Sequence, residues 1–374
     1  MKYNRIYLKN SLFLHFIFTF MTSIQTQDYA IHFNENCYTN LNQQIEKKNY
    51  TSIFILTDSN TNRFCATQLL SQIETETRIE VLEIEPGEQL KNLETCASLW
   101  SALSELGADR KSLMINLGGG VVTDLGGFVA CCYQRGIDFI NMPTTLLSIV
   151  DASIGGKNGV DLGALKNQIG IIKTPTMVLI DTSFLGSLPQ RDMRSGLAEM
   201  IKHGLINNPK HYKDLQDLSK LTLEDLDRLI FDSILVKKEI VEQDPTEQNL
   251  RKTLNFGHTL GHAIESYYLN QPEKALLHGE AIAIGMILES YLSHKILGLD
   301  TESLNEIKSL LTKTFGHPKI ETSDFENIIE LMKHDKKNEN GVIKFVLLEK
   351  IGNCKINQEA SKKLIINSFE FYNN

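Results

Sequence analysis

The rhythm of apolar and polar positions changes about halfway along the chain. In the first half, short apolar runs rich in β-branched residues recur at 52–57, 79–84, 112–117, 138–142 and 177–180, separated by polar or glycine-rich breaks. Runs that are apolar throughout, without alternation, fit strands buried on both faces of a parallel sheet. Between them, 93–106 and 125–133 carry the three-to-four-residue apolar spacing of helices. Strand and helix in alternation predict an α/β domain. After about residue 183 the pattern turns to long amphipathic stretches, such as "LEDLDRLIFDSILVKKEIVEQ" and "GEAIAIGMILESYLSHKIL", with one late strand in "GVIKFVLLEKIG". The expected organisation is an α/β domain with a Rossmann-like parallel sheet over 23–182 and a mainly α-helical domain over 183–374. No internal repeat or low-complexity linker divides them.

Composition supports this picture. A chain of 374 residues is long for one core and suggests two domains. An apolar content of 42% with 22% charged residues is that of a globular, water-soluble protein. The net charge of −8 gives no reason to expect nucleic acid or an anionic membrane as a partner. Six cysteines are scattered without CxxC spacing, which predicts reduced thiols in an intracellular compartment. One segment conflicts with that. Residues 1–22 carry three positive charges and then an apolar run over 12–21, resembling the start of a signal peptide. No small-residue cleavage site follows, and the run is too short to span a bilayer. We expect 1–22 to lie outside the fold, with Met21 as a natural start, and the protein to be cytoplasmic.

Candidate chemistry falls into two groups. "MINLGGGVVTDLGGFVA" is a buried strand running through Gly119 and Gly120 into a helix that bears Asp124. Such a turn lets backbone approach a ligand and aims a helix N-terminus at phosphate. Asp58 and Asn60 follow the first predicted strand, and Thr144 and Thr145 follow another. Singly, each reads equally well as a turn or N-cap residue. Together, at the carboxyl ends of successive strands, they predict a dinucleotide site. The second group is cationic and imidazole-rich. Arg135, Lys157, Lys166, Asn167, Lys202, Lys237 and Arg251 recur in glycine-rich or apolar context, which suggests an anionic ligand. Asp151 lies close by in sequence. Glu199, His258 and His278 would make a two-histidine, one-carboxylate metal set. Spacing alone nominates His258 and His262 instead, because residues four apart share a helix face.

The motifs "GGGVVTDLGGFVA", "RGIDFINMPTTLLSIVDASIGGKNGVDL", "LKNQIG", "GLAEMIKHGLI", "RKTLNFGHTLGHAIE", "LHGEAIAIGM" and "DKKN", in this order from about 58 to 352, resemble those of 3-dehydroquinate synthases. The resemblance implies conversion of 3-deoxy-D-arabino-heptulosonate 7-phosphate to 3-dehydroquinate and phosphate, a lyase step of the shikimate pathway toward chorismate and aromatic amino acids. It implies NAD, reduced and restored within one turnover, and a divalent metal, zinc or cobalt. Residue by residue, it makes Glu199, His258 and His278 the metal ligands and His262 a proton-transfer residue. NAD would be held by Asp58, Asn60, Glu88, Lys91, Gly119, Gly120, Asp124, Thr144, Thr145, Lys166 and "FLGSL" after Asp181. Substrate would be held by Arg135, Asp151, Lys157, Asn167, Lys202, Lys237, Arg251, Asn255 and Lys336. Lys157, Asn167 and Lys202 would serve the departing phosphate. Glu247 matches an acid/base position, though "DPTEQNLR" lacks the glycines expected around it. Relatives are commonly homodimers. The rival readings are a sister sugar-phosphate cyclase, an NAD-dependent polyol dehydrogenase and a silent nucleotide-binding protein.

Overall fold

The computed structural model describes residues 23–374 except 164, 218–221, 270, 272 and 333–342. The expected N-terminal extension with Met21, and Lys336, lie outside the described residues. The chain divides into two compact units, one reaching Leu188 and one beginning at Pro189.

The first unit is built on a seven-stranded sheet. In chain order its strands include β1 (Ser23–Gln25), β2 (Ala30–Phe33), β3 (Ile53–Asp58), β4 (Ile79–Ile84), β5 (Leu113–Gly118) and β6 (Asp138–Pro143). A hairpin of β7 (Lys157–Leu162) and β8 (Leu165–Ile172) then leaves the sheet, and β9 (Met177–Ile180) returns to it. The order across the sheet is β1-β2-β9-β6-β5-β3-β4, and every pairing is parallel except β1 with β2. Side chains alternate across it as the pleat demands. Phe54, Leu56 and Met114 face a core shared with the helices Leu93–Glu105 and Gly120–Cys132. Ile53, Ile55, Leu113 and Ile115 face another, shared with Glu35–Lys48 and Thr67–Gln72. Helices on both faces explain why β3 and β5 are buried at nearly every position.

The second unit is mainly helical, with Gln190–Ile206, Leu223–Gln243, His258–Tyr268, His278–Ile296, Thr301–Phe315 and Lys362–Asn373 as its principal helices. His278–Ile296 is buried almost all round, since other elements of the unit pack on several sides of it. That explains its weakly amphipathic sequence, "HGEAIAIGMILES". Among the described residues, no helix is long and apolar enough to cross a membrane.

Several expectations need correction. The helix expected at 125–133 starts at Gly120, because Gly119 is its N-cap and Gly120 opens its first turn. The late strand is a hairpin, β10 (Phe345–Lys350) with β11 (Asn353–Gln358); β11 alternates between exposed and half-buried positions and is too polar to stand out. The β7–β8 hairpin was not anticipated. Its glycines and polar residues hide the strand pattern, and Gly159 and Gly170 approach so closely that a Cβ at either would meet backbone within 2.6 Å.

Candidate metal and dinucleotide sites

In the first unit, chain connectivity reverses direction at β3: β4 lies on one side of it and β5 on the other. The carboxyl ends of two such strands form the crevice where ligands of open α/β sheets bind. Asp58 ends β3, and Gly118 ends β5 just before Gly119 and Gly120. The next strand end is close by: Thr144 donates its N–H to the Gly118 carbonyl (3.0 Å), and a Cβ on Gly119 would lie 3.0 Å from Thr145 Cγ2. Asp58 also caps its own turn, its carboxylate accepting the Thr61 N–H at 2.8 Å, while Asn60 is exposed beside it. Six of the predicted dinucleotide residues therefore gather at three adjacent strand ends.

Of the remaining candidates, "FLGSL" falls at the turn Thr182–Ser187, and Glu88, Lys91, Asp124 and Lys166 form an ionic network. Lys91, 4% exposed, donates to Asp124 Oδ2 and to Asn167 Oδ1, each at 2.7 Å. Burial alone would pull the Lys91 ammonium down, but the carboxylates of Asp124 and Glu88 outweigh it and raise its pKa. Lys166 lies 3.5 Å from Glu88. Asn167 is thereby tied to Lys91 and adopts a left-handed backbone (φ 52). Arg135 and Lys157 are exposed, and Asp151 is half-buried in the turn Ser148–Ala152.

In the second unit the three histidine- and glutamate-bearing segments converge. Glu199 is fully buried on Gln190–Ile206. Its Oε1 lies 3.5 Å from His258 Nε2 and 3.7 Å from His278 Nε2. Lys202, one turn on, rests against Oε2, and Oε1 has no hydrogen bond among the described residues. His262 joins the group, its ring centroid 5.0 Å from that of His258 and 5.6 Å from that of His278. Nitrogens of the three imidazoles lie within 4.8 Å of one another.

Each of the two histidines facing Glu199 is oriented through its other nitrogen. His258 Nδ1 is 3.1 Å from the Phe256 carbonyl, and His278 Nδ1 is 3.3 Å from Glu265 Oε2. With its proton on Nδ1, a neutral imidazole at either position presents its Nε2 lone pair toward Glu199. Burial would lower the His278 pKa, but the Glu265 and Glu199 carboxylates outweigh it and raise it to about 9, so a cation would have to displace the His278 Nε2 proton to bind there. Two inward-facing imidazole nitrogens and a buried carboxylate oxygen without a hydrogen bond match the donor set of a divalent cation.

The geometry rests on close helix packing. His258–Tyr268 lies so near His278–Ile296 that a Cβ on Gly285 would fall 2.0 Å from the Gly257 carbonyl oxygen. Gly257 itself is left-handed (φ 79). Before this helix, Asp244 accepts the N–H groups of Gln248, Asn249 and Arg251 at 2.7–3.0 Å and shapes the loop. Glu247, also left-handed (φ 60), accepts from Asn255 at 2.8 Å. Arg251 is buried and donates to the Pro245 carbonyl at 2.7 Å, and Lys237 is buried as well.

Sequence reading missed Glu265, Asp244 and Glu289. Glu265 sits seven residues after His258, on the same helix face, inside a motif already singled out. Glu289 is a lone acid in an apolar run, the one sequence signal that marks it.

Comparison with known proteins shows the family. Residues 81–195 match the family described as 3-dehydroquinate synthase N-terminal, and 196–338 match 3-dehydroquinate synthase C-terminal. A 3-dehydroquinate synthase from Parabacteroides distasonis is 42% identical over 325 residues, covering 86% of this chain and 92% of that protein. Among solved structures, a 2-deoxy-scyllo-inosose synthase complexed with carbaglucose-6-phosphate, NAD+ and Co2+ superposes with a TM-score of 0.83 at 24% identity, covering 94% of this chain and 99% of the other. A 2-epi-5-epi-valiolone synthase from Streptomyces hygroscopicus with NAD+ and Zn2+ bound gives 0.79 at 24% identity, covering 94% and 98%. At that identity the structures speak for the fold. With both family halves matched in order and a relative this similar over nearly its full length, the chain belongs to the 3-dehydroquinate synthase family.

Proposed function

We propose that this chain converts 3-deoxy-D-arabino-heptulosonate 7-phosphate to 3-dehydroquinate and phosphate, as the lyase its family is named for, using NAD and a divalent metal. The observation that carries the residue assignment is the convergence of His258 and His278 on the buried Glu199 carboxylate. Those three are the metal ligands. His262, in the same cluster, is left to move protons. When bound, the metal supplies Lewis acidity to substrate hydroxyls. NAD supplies a hydride acceptor that is restored before product leaves.

The chain's own residues do the rest. Asp58, Asn60, Gly119, Gly120, Thr144 and Thr145 hold the dinucleotide at the strand ends, and Glu88, Lys91, Asp124 and Lys166 stiffen that platform. Arg251, Lys237 and Asn255 bind the substrate carboxylate, and Arg135, Asp151 and Lys336 complete the grip on its other groups. Lys157, Asn167 and Lys202 hold the phosphate, which takes the proton from the neighbouring carbon as it departs. Glu247, positioned by Asn255, is the remaining acid/base group. The main contribution is orientation and charge stabilisation. We further propose a cytoplasmic homodimer, active with zinc or cobalt.

The test is phosphate release from the purified chain with 3-deoxy-D-arabino-heptulosonate 7-phosphate, NAD and Zn2+ or Co2+, with NADH absorbance followed in parallel. Phosphate and dehydroquinate should appear without NADH accumulation. NADH building up without phosphate would mean a dehydrogenase. Turnover only of heptulose phosphates lacking a carboxylate would mean a sister cyclase and overturn the roles of Arg251, Lys237 and Asn255.

A further inference from the structure

Glu289 lies fully buried on His278–Ile296, one turn beyond Gly285, and reaches across to the start of His258–Tyr268. Its Oε2 accepts the Gly257 N–H at 2.7 Å and its Oε1 accepts the Leu260 N–H at 3.2 Å. Gly257 is the N-cap of that helix and has no side chain to cap it, so the cap comes from a neighbouring helix. The Gly257 N–H belongs to the same peptide group as the Phe256 carbonyl, and that carbonyl is the partner of His258 Nδ1. A continuous path therefore runs from the Glu289 carboxylate through the 256–257 peptide to the His258 imidazole.

We propose that Glu289 is a positioning residue for the metal site, acting on His258 through this peptide as Glu265 acts directly on His278. The inference rests on the reading of Glu199, His258 and His278 as ligands. Negative charge at the N–H end of a peptide polarises it and strengthens its carbonyl as an acceptor. The strengthened carbonyl holds the proton on His258 Nδ1, which keeps the Nε2 lone pair free and more basic. Both ligand histidines are then backed by a buried carboxylate, one directly and one through a single peptide bond.

The experiment is Co2+ titration of the metal-free, full-length chain, read by calorimetry and by the visible absorption of bound cobalt. The variants are Glu289→Gln, Glu265→Gln and His258→Ala. Glu289→Gln should weaken Co2+ by roughly tenfold to a hundredfold, as loss of a partner behind a ligand does, and should shift the cobalt spectrum as Glu265→Gln does. Wild-type affinity and spectrum in Glu289→Gln, with only a lower melting temperature, would make Glu289 a plain cap and overturn the inference. If His258→Ala also bound Co2+ normally, the ligand reading itself would fall. Should Glu289→Gln not fold, long-range 1H–15N NMR of the zinc-loaded wild type decides. His258 bound through Nε2 with Nδ1 protonated is expected, and the reverse overturns the path.

Discussion

Burial of a polar side chain has opposite consequences at two positions of the second unit. At Glu199 a carboxylate is held out of water by Lys202 and two imidazoles, which supply the positive charge or hydrogen bonds a buried carboxylate needs. At His211 an imidazole is buried with no hydrogen bond to either nitrogen among the described residues. Burial, opposed by Asp214 and aided by Arg228, depresses its pKa to about 4. A depressed imidazole stays neutral in the folded state while the unfolded chain takes up a proton. Its contribution is thus intact above about pH 6.5 and is lost as pH falls toward 4. The loss over that window is on the order of 3 kcal/mol. Urea unfolding of metal-free protein at pH 7 and pH 4.5 should show His211→Leu losing less stability than wild type. An equal loss in both would place the acid sensitivity elsewhere. Residues such as His258 and His278 were legible because their motifs are long. Glu265 and Glu289 were not, because their roles depend on which backbone group or imidazole lies across from them.

The two helices that bear His258 and His278 meet along glycines. Gly257 and Gly261 on one and Gly285 on the other remove the side chains that would separate them, which lets His258 and His278 come within 5.6 Å, centroid to centroid. Gly285→Ala would drive a methyl into the Gly257 carbonyl with only backbone to yield. The expected cost is about 1–3 kcal/mol from overpacking, with weaker metal binding than the stability loss alone explains. Thermal melts and Co2+ titration of the same variant check this. Unchanged metal affinity would show that the site tolerates helix separation. Glycines were visible in "NFGHTLGH" and "AIGM". That they face each other was not, because the helices are joined by a segment whose path the residue pattern does not specify.

Across the whole chain, the dinucleotide candidates belong to the first unit and the proposed metal ligands to the second. Metal loss should therefore leave NAD binding nearly untouched. Chelation, or Glu199→Gln, should abolish phosphate release, since metal Lewis acidity is worth several kcal/mol and each 1.36 kcal/mol is about a tenfold change in rate. NAD affinity, read by calorimetry on the same samples, should stay within about twofold, because the residues proposed for NAD and those proposed for metal are different ones. Added Zn2+ or Co2+ should restore the chelated protein but not the variant. A large fall in NAD affinity on chelation would mean the two sets of residues are coupled.

By itself, the sequence determined the alternation of strand and helix, the positions of the central strands and the residues proposed to carry the chemistry. Those properties are local: hydrophobic period, turn composition and motif spacing are written within a few residues. Tertiary structure alone decided the rest. It put the ends of β3, β5 and β6 side by side, tied Lys91 to Asp124 and Asn167, and set Glu265 and Glu289 behind the two histidines. Each of these joins segments distant in sequence, and such contacts follow from how buried surfaces pack rather than from any short stretch of chain.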